Sequence, residues 1–353
     1  MRICGTLTQA GYRPILVGRT LPKSAPTPQM PYKQVRLRCF INKGKLFYVE
    51  YHIRLFLFLF FKKADAFCAC DLDTLLPNYL VSVLKKKPLI FDAHEIFTEV
   101  PELILRPKTQ KIWIYLEQIL LPKITHAYTV NDSLASYFYA KYKCHFAVIR
   151  NLPLTKKTIK GIDSELFSHL PEKFILYQGA TNLGRGLPSL IKAMHAIKLP
   201  LVIAGDGDIL DELKQQTRLL HLEDKIHFLG YVKPNLLQNL TEKAHLGINL
   251  LDNMGLNSYY SLANKFLDYI MAGKPQVCMA YPEYELLNQR YNVALLVTDL
   301  TDDALTAAIN RLIDDVPLYQ TTEKNCQLAA QDLCWEKEQG RLLAFYSGIF
   351  LVR

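Results

Sequence analysis

The residues with the most chemistry to offer stand where apolar runs give way to polar ones. In SLANKFLDYIMAGKPQV, Ser261 to Val277, a polar start leads into a helical pattern with Asn264 and Lys265 in its first turn and Asp268 one turn later. Positions three and four apart share a helix face. A carboxylate there can accept two hydroxyls of a ribose, and a lysine near a helix start can meet a phosphate. An ion pair on a solvated face is the plainer alternative. In YQGATNLGRG a strand ends at Gly179, a loop carries Arg185, and a helix begins near Gly186. The free N–H groups and positive end of a helix hold phosphate, and a guanidinium adds a permanent charge and a planar fork of donors. Taken alone, a solvated arginine in a glycine-rich turn explains the stretch equally well. In FDAHE, Asp92, His94 and Glu95 follow an apolar run. A histidine there can donate to a substrate hydroxyl or move a proton, or be an ordinary hydrogen-bonded loop residue. IAGDGD has two glycines but no full dinucleotide fingerprint, and a tight turn with Asp208 capping a helix accounts for it as well.

These exits need elements to hold them. Short apolar strand patterns alternate with helical ones along the chain, the pattern of parallel sheets covered on both faces. A polar gap, LPLTKKTIKGIDSE, interrupts the alternation, which then restarts at KFILYQG. This predicts an α/β protein with two doubly wound domains, residues 1–155 and 156–333, followed by a helix over 334–353. Ligands of such sheets bind beyond the C-terminal ends of the strands, where the residues above lie.

Composition narrows the partners. The chain has 353 residues, 50% hydrophobic and 21% charged, with a net charge of +9. That balance favours phosphorylated ligands, nucleic acid or an acidic membrane surface; no basic-aromatic motif supports nucleic acid. Eight cysteines include no Cys-x-x-Cys pair, and no histidine cluster has metal-ligand spacing, which points to reduced thiols in a cytoplasmic protein and to no metal. No signal peptide is visible. The most apolar run, LFLFLFF from Leu55 to Phe61, lies between Arg54 and Lys62–Lys63. It is far shorter than the ~20 residues that span a bilayer, so it reads as a buried element, with peripheral contact to an acidic membrane face as the second reading.

Taken in order, the motifs resemble family 4 of the glycosyltransferases. YQGATNLGRG, LVIAGDGDILDELKQQTRLLHLEDKIHFLGYV and SLANKFLDYIMAGKP are similar to that family's donor domain, FDAHEIFTEVPEL and YTVNDSLASYF with VIRNLP to its acceptor domain, and CWEKEQGRLLAFY to its closing helix, which crosses back to the first domain. The resemblance implies a GT-B fold, two Rossmann-like domains facing a cleft. It implies retaining transfer of a sugar from a nucleotide-sugar to a glycan or lipid-linked acceptor, without a metal, in surface polysaccharide or glycolipid synthesis. By position, Gly179 would let the backbone approach the diphosphate, Arg185 would clamp it, Asp268 would hold the ribose, and His94 would approach the sugar or acceptor.

The sequence departs from the family at four places. Tyr260 stands where many relatives carry the first acid of an E-x7-E motif, and the second acid, Asp268, is one methylene short. Ala180 stands where a first phosphate-binding cation is usual, which leaves Lys265 to replace it. MRICGTLTQAGY already reads as the first helix, so the family's opening strand and glycine-rich loop are lacking. These departures keep a non-catalytic glycosyltransferase-like binding protein, or a related nucleotide-sugar enzyme on the same fold, as the alternatives to a transferase.

Overall fold

The computed structural model describes residues 2–350 except 22, 23, 25, 43, 156–166, 168 and 169; most of the polar gap lies outside the described residues. The chain divides into two compact units, Met1–Arg150 with Glu338–Arg353, and Asn151–Lys337. The divisions fall a few residues from positions 155 and 333.

In the first unit the leading element is a helix, Arg2–Gln9. Strands β1 (Ile15–Thr20) and β2 (Lys33–Arg38) form a parallel pair. A separate parallel sheet joins β3 (Phe67–Cys70), β4 (Leu89–Ala93), β5 (His126–Thr129) and β6 (Ala147–Val148) in that order. The LFLFLFF run lies in a helix, Lys45–Phe61, whose inner residues Phe47, Tyr51 and Leu55 pack on Val17, Leu37 and Cys39. The run is not the buried element expected: Leu55 is 3% exposed, but Leu57 is 47% and Phe61 77%. The C-terminal helix, Trp335–Phe350, begins in the second unit, where the Trp335 N–H donates to the Pro153 carbonyl, and continues into the first, where Glu338 accepts from the Arg150 N–H.

The second unit holds one six-stranded parallel sheet of β7 (Ile175–Gln178), β8 (Leu201–Ala204), β9 (Ile226–Gly230), β10 (Leu246–Asn249), β11 (Gln276–Met279) and β12 (Ala294–Val297). Their order across the sheet is β12-β11-β10-β7-β8-β9. The central strands ILYQ, LVIA, LGIN and QVCM are buried throughout, as strands covered on both faces must be. The chain leaves β7 to build outward one way and returns to β10 to build outward the other. The crevice beyond β7 and β10 is therefore the topological switch point, where doubly wound sheets take their ligands.

Two features draw the backbone tightly around this point. A Cβ on Gly205, just past β8, would sit 1.8 Å from the Gly179 carbonyl oxygen, so only glycine permits the exits of β7 and β8 to meet so closely. The helix Asn264–Met271 closes against the sheet through Phe266, Leu267, Tyr269 and Ile270. It stops at Gly273, whose φ of +68° suits a left-handed residue after a helix end, and the N–H groups of Gly273 and Lys274 return to the carbonyls of Ile270 and Tyr269.

Gly205→Ala should destabilise the protein by about 3 kcal/mol or more, because overpacking against backbone cannot relax as a side chain can. Gly340→Ala, in a helix with nothing within 4 Å of the new methyl, should stabilise it by about 0.5–1 kcal/mol. Urea unfolding midpoints of the two variants measure both.

Candidate functional site

The second unit gathers four of the expected residues at the switch point. Lys265 is not on a solvated face: it is 8% exposed, and its Nζ has no hydrogen-bond partner among the described residues. The ammonium sits 3.8 Å from the centroid of the Tyr177 ring, a cation–π contact that offsets part of the lost hydration. The ring is fixed by its hydroxyl, which donates to the Ala180 carbonyl at 2.6 Å. The other neighbour of the ammonium is bare backbone. Gly179 has φ +120°, and a Cβ there would meet Lys265 Cε at 3.6 Å and Nζ at 3.8 Å.

Burial first, and the nearby Arg185 guanidinium second, push the Lys265 pKa well below its usual value. Arg185 is half-buried in the loop between β7 and the next helix. Two cations thus lie close together around a glycine turn. An unpaired ammonium in such a place costs stability unless an anion completes it. The helix after Arg185, Leu187–Ala193, has seven residues, so positive charge at the turn comes chiefly from the two side chains.

Asp268 joins the same turn by another route. Its Oδ2 accepts from Gln178 Nε2 at 3.1 Å, and Gln178 Oε1 accepts from Thr241 Oγ1 at 2.6 Å. Asp268 is half-buried, so this bond fixes the carboxylate while leaving it accessible. Asn264 does not share this environment. It is exposed, and its Oδ1 accepts from Asn151 Nδ2 at 3.2 Å. Asp208 caps nothing: the helix Leu210–Leu219 has Ile209 at its N-cap and no side-chain cap.

His94 belongs to the first unit, just past β4. Its Nε2 lies 3.1 Å from Asp92 Oδ1. Burial alone would lower the imidazole pKa, but the Asp92 carboxylate, with Asp71, outweighs it and holds the value at about 9. His94 is therefore an imidazolium near neutral pH. Asp92 is anchored in turn by Tyr128, its register partner on β5, whose hydroxyl donates to Oδ2 at 2.8 Å. Asp71, at the exit of β3, accepts from the His94 N–H at 2.7 Å. Its backbone angles, φ 58° and ψ 170°, border a region nearly reserved to glycine, a strain of about 1–3 kcal/mol. Burial pushes the Asp71 carboxyl up to about 6.

Sequence reasoning passed over Tyr177, Gln178, Asp71 and the partnership of Asp92 with His94. Tyr177 and Gln178 were within reach, since they are the last two residues of β7 and immediately precede Gly179. The role of Asp71 was not, because nothing local distinguishes it from an ordinary acid after a strand.

Comparison with known proteins bears on family and fold. Residues 161–328 match the family described as Glycosyl transferases group 1. Alpha-monoglucosyldiacylglycerol synthase of Streptococcus pneumoniae is 22% identical over 169 residues, 43% of this chain and 38% of that protein. The match to curated relatives thus spans under two fifths of their length. Sucrose-phosphate synthase from Thermosynechococcus elongatus superposes with a TM-score of 0.85 at 17% identity, covering 100% of this chain and 92% of that one. Anabaena HepE in complex with UDP-glucose superposes with a TM-score of 0.70 at 18% identity, covering 90% and 86%. The fold is of the GT-B type, built from two Rossmann-like units.

Lys265→Met keeps the length and apolar stem of the side chain and removes the charge. It should weaken binding of inorganic pyrophosphate by about thirtyfold or more in titration calorimetry, the scale for a buried charge contact, while leaving the unfolding free energy equal or higher, since an unpaired buried charge is gone. Asp92→Asn should lower the His94 pKa from about 9 toward the ordinary value near ~6.5, read from imidazole NMR shifts.

Proposed function

We propose that this chain, whose residues 161–328 are a glycosyl transferases group 1 domain, is a retaining glycosyltransferase that moves a sugar from a nucleotide-sugar to an acceptor hydroxyl on a glycan or glycolipid. The observation that carries this reading is Lys265: a buried ammonium without an anion, beside Arg185 and a bare glycine turn at the switch point of the sheet.

In this reaction the bond from the sugar C1 to the diphosphate oxygen breaks and a bond from C1 to the acceptor oxygen forms. The acceptor proton leaves with the nucleoside diphosphate. Charge develops on the diphosphate as the first bond stretches, and groups already aimed there lower the barrier most. Lys265 and Arg185 supply that charge. Gly179 lets the backbone come within reach, and Asp268, steadied by Gln178, accepts from the donor ribose. His94, kept protonated by Asp92, donates a hydrogen bond to the sugar or the acceptor. Lys265 replaces the cation missing at Ala180, so the leaving group is stabilised without a metal. The glycolipid acceptor is favoured by the likeness to a diacylglycerol glucosyltransferase.

The test is a panel of nucleotide-sugars assayed by thermal unfolding and by product. A donor present at about a hundred times its dissociation constant should stabilise the protein by ~2.7 kcal/mol. Slow hydrolysis should release the nucleoside diphosphate, at a rate unchanged by a metal chelator. Release of the monophosphate would point to other chemistry, and no response to any donor would leave a non-catalytic protein.

A further inference from the structure

The helix Lys45–Phe61 is apolar on both sides. Its inner side is accounted for by Phe47, Tyr51 and Leu55, which pack on the β1–β2 pair. Its outer side carries Leu46, Val49, Ile53, Leu57 and Phe60, from 65% exposed at Leu46 to 40% at Phe60. At 100° per residue these five positions fall within a stripe about 80° wide and about 21 Å long. Leu80, Val83 and Leu84, exposed on the helix Leu72–Lys85 that packs beside it, widen the patch. Single exposed apolar residues are ordinary on a protein surface, but a contiguous face marks an interface.

The charges around the face identify what it meets. Lys45 is exposed at one end, and Lys62, Lys63 and Lys86 at the other. The ammonium groups of Lys62 and Lys85 lie 5.3 and 5.7 Å over the rings of Phe58 and Phe60, and that of Lys85 donates to the Lys62 carbonyl at 2.6 Å. The acid on this helix, Glu50, is taken up by the N–H groups of Phe40 and Ile41 and by Arg54. A second copy of the chain is a poor occupant. With lysines at both ends of the stripe, parallel and antiparallel self-pairing alike set cation against cation. No helix among the described residues is long and apolar enough to cross a membrane.

We infer that the outer face of the helix Lys45–Phe61, collared by Lys62, Lys63 and Lys86, docks the protein on an anionic lipid bilayer, lying in the interface with its apolar stripe among the acyl chains. Apolar burial supplies the insertion, and the lysines, each worth about tenfold or less in partition near an anionic surface, supply the preference for acidic lipid. The inference stands on the first unit alone, and its fate is separate from that of the donor site in the second.

The test is flotation of the full chain with vesicles of phosphatidylcholine alone and of phosphatidylcholine mixed with phosphatidylglycerol. The wild type should float with the mixed vesicles, weakly with the neutral ones, and less at raised salt. Ile53→Asp with Leu57→Asp should abolish flotation. Lys62→Glu with Lys63→Glu, on exposed side chains that folding does not use, should reduce it tenfold or more on the mixed vesicles only. Thermal unfolding with and without UDP-glucose reports fold and donor site independently. Wild type that stays unbound to anionic vesicles while folded overturns the inference. So does equal flotation of both variants, or a wild-type dimer that the Ile53→Asp, Leu57→Asp variant dissociates, which would make the face a self-interface.

Discussion

An ammonium removed from water has few ways to stay charged, and Lys265 has been given almost none of them. It has an aromatic face beneath it, a glycine backbone beside it and a guanidinium nearby, and its Nζ has no hydrogen-bond partner among the described residues. A lysine needed only for packing would be better replaced by methionine or leucine. Its cost is offset when an anion sits at the turn.

The sheet explains why the turn lies where it does. Parallel strands end together, and the reversal of winding between β7 and β10 opens a crevice that no crossover covers. Glycines then bring the backbone up to its edge. Gly205 permits the approach to the Gly179 carbonyl, and Gly247 permits Tyr269 to pass against β10, where a Cβ would stand 2.5 Å from the ring. The Tyr269 hydroxyl donates to Leu176 and receives the Gln178 N–H, tying the helix that bears Lys265 and Asp268 to the strand that ends at Gly179. Packing and the Tyr269 hydroxyl hold that helix to that strand. The first unit follows another plan. Cys70, Asp92 and Tyr128 are register neighbours on β3, β4 and β5, and the charge of His94 is set by that row and by the strained Asp71.

The architecture was largely legible in the sequence because buried parallel strands leave short, wholly apolar words such as ILYQ and LVIA. Strand β2, KQVRLR, was not: as part of a two-stranded pair it has little buried surface and carries three cations. Arg185, Lys265 and Asp268 were recognisable as candidates, but their environments were not. A helical period suggested a shared face for Asn264, Lys265 and Asp268, whereas the tertiary fold buries Lys265, half-buries Asp268 against Gln178 and leaves Asn264 to Asn151. Position along a helix sets angle and not burial. The outer stripe of Lys45–Phe61 was only the second reading of its apolar run, since such a run reads the same whether it faces a core or a surface.

The central claim, that Lys265 awaits an anion, has a direct signature in protons. Each phosphate of a nucleotide-sugar carries one strongly acidic oxygen and does not titrate near neutrality, whereas a lysine whose pKa is depressed in the free protein holds its proton more firmly when a diphosphate arrives. Calorimetric titration of nucleotide-sugars in buffers of different ionisation enthalpy measures that proton. The account predicts net uptake on binding, growing as pH rises through the free lysine's pKa and absent in Lys265→Met. Binding heats identical in every buffer from neutral to alkaline pH would contradict it.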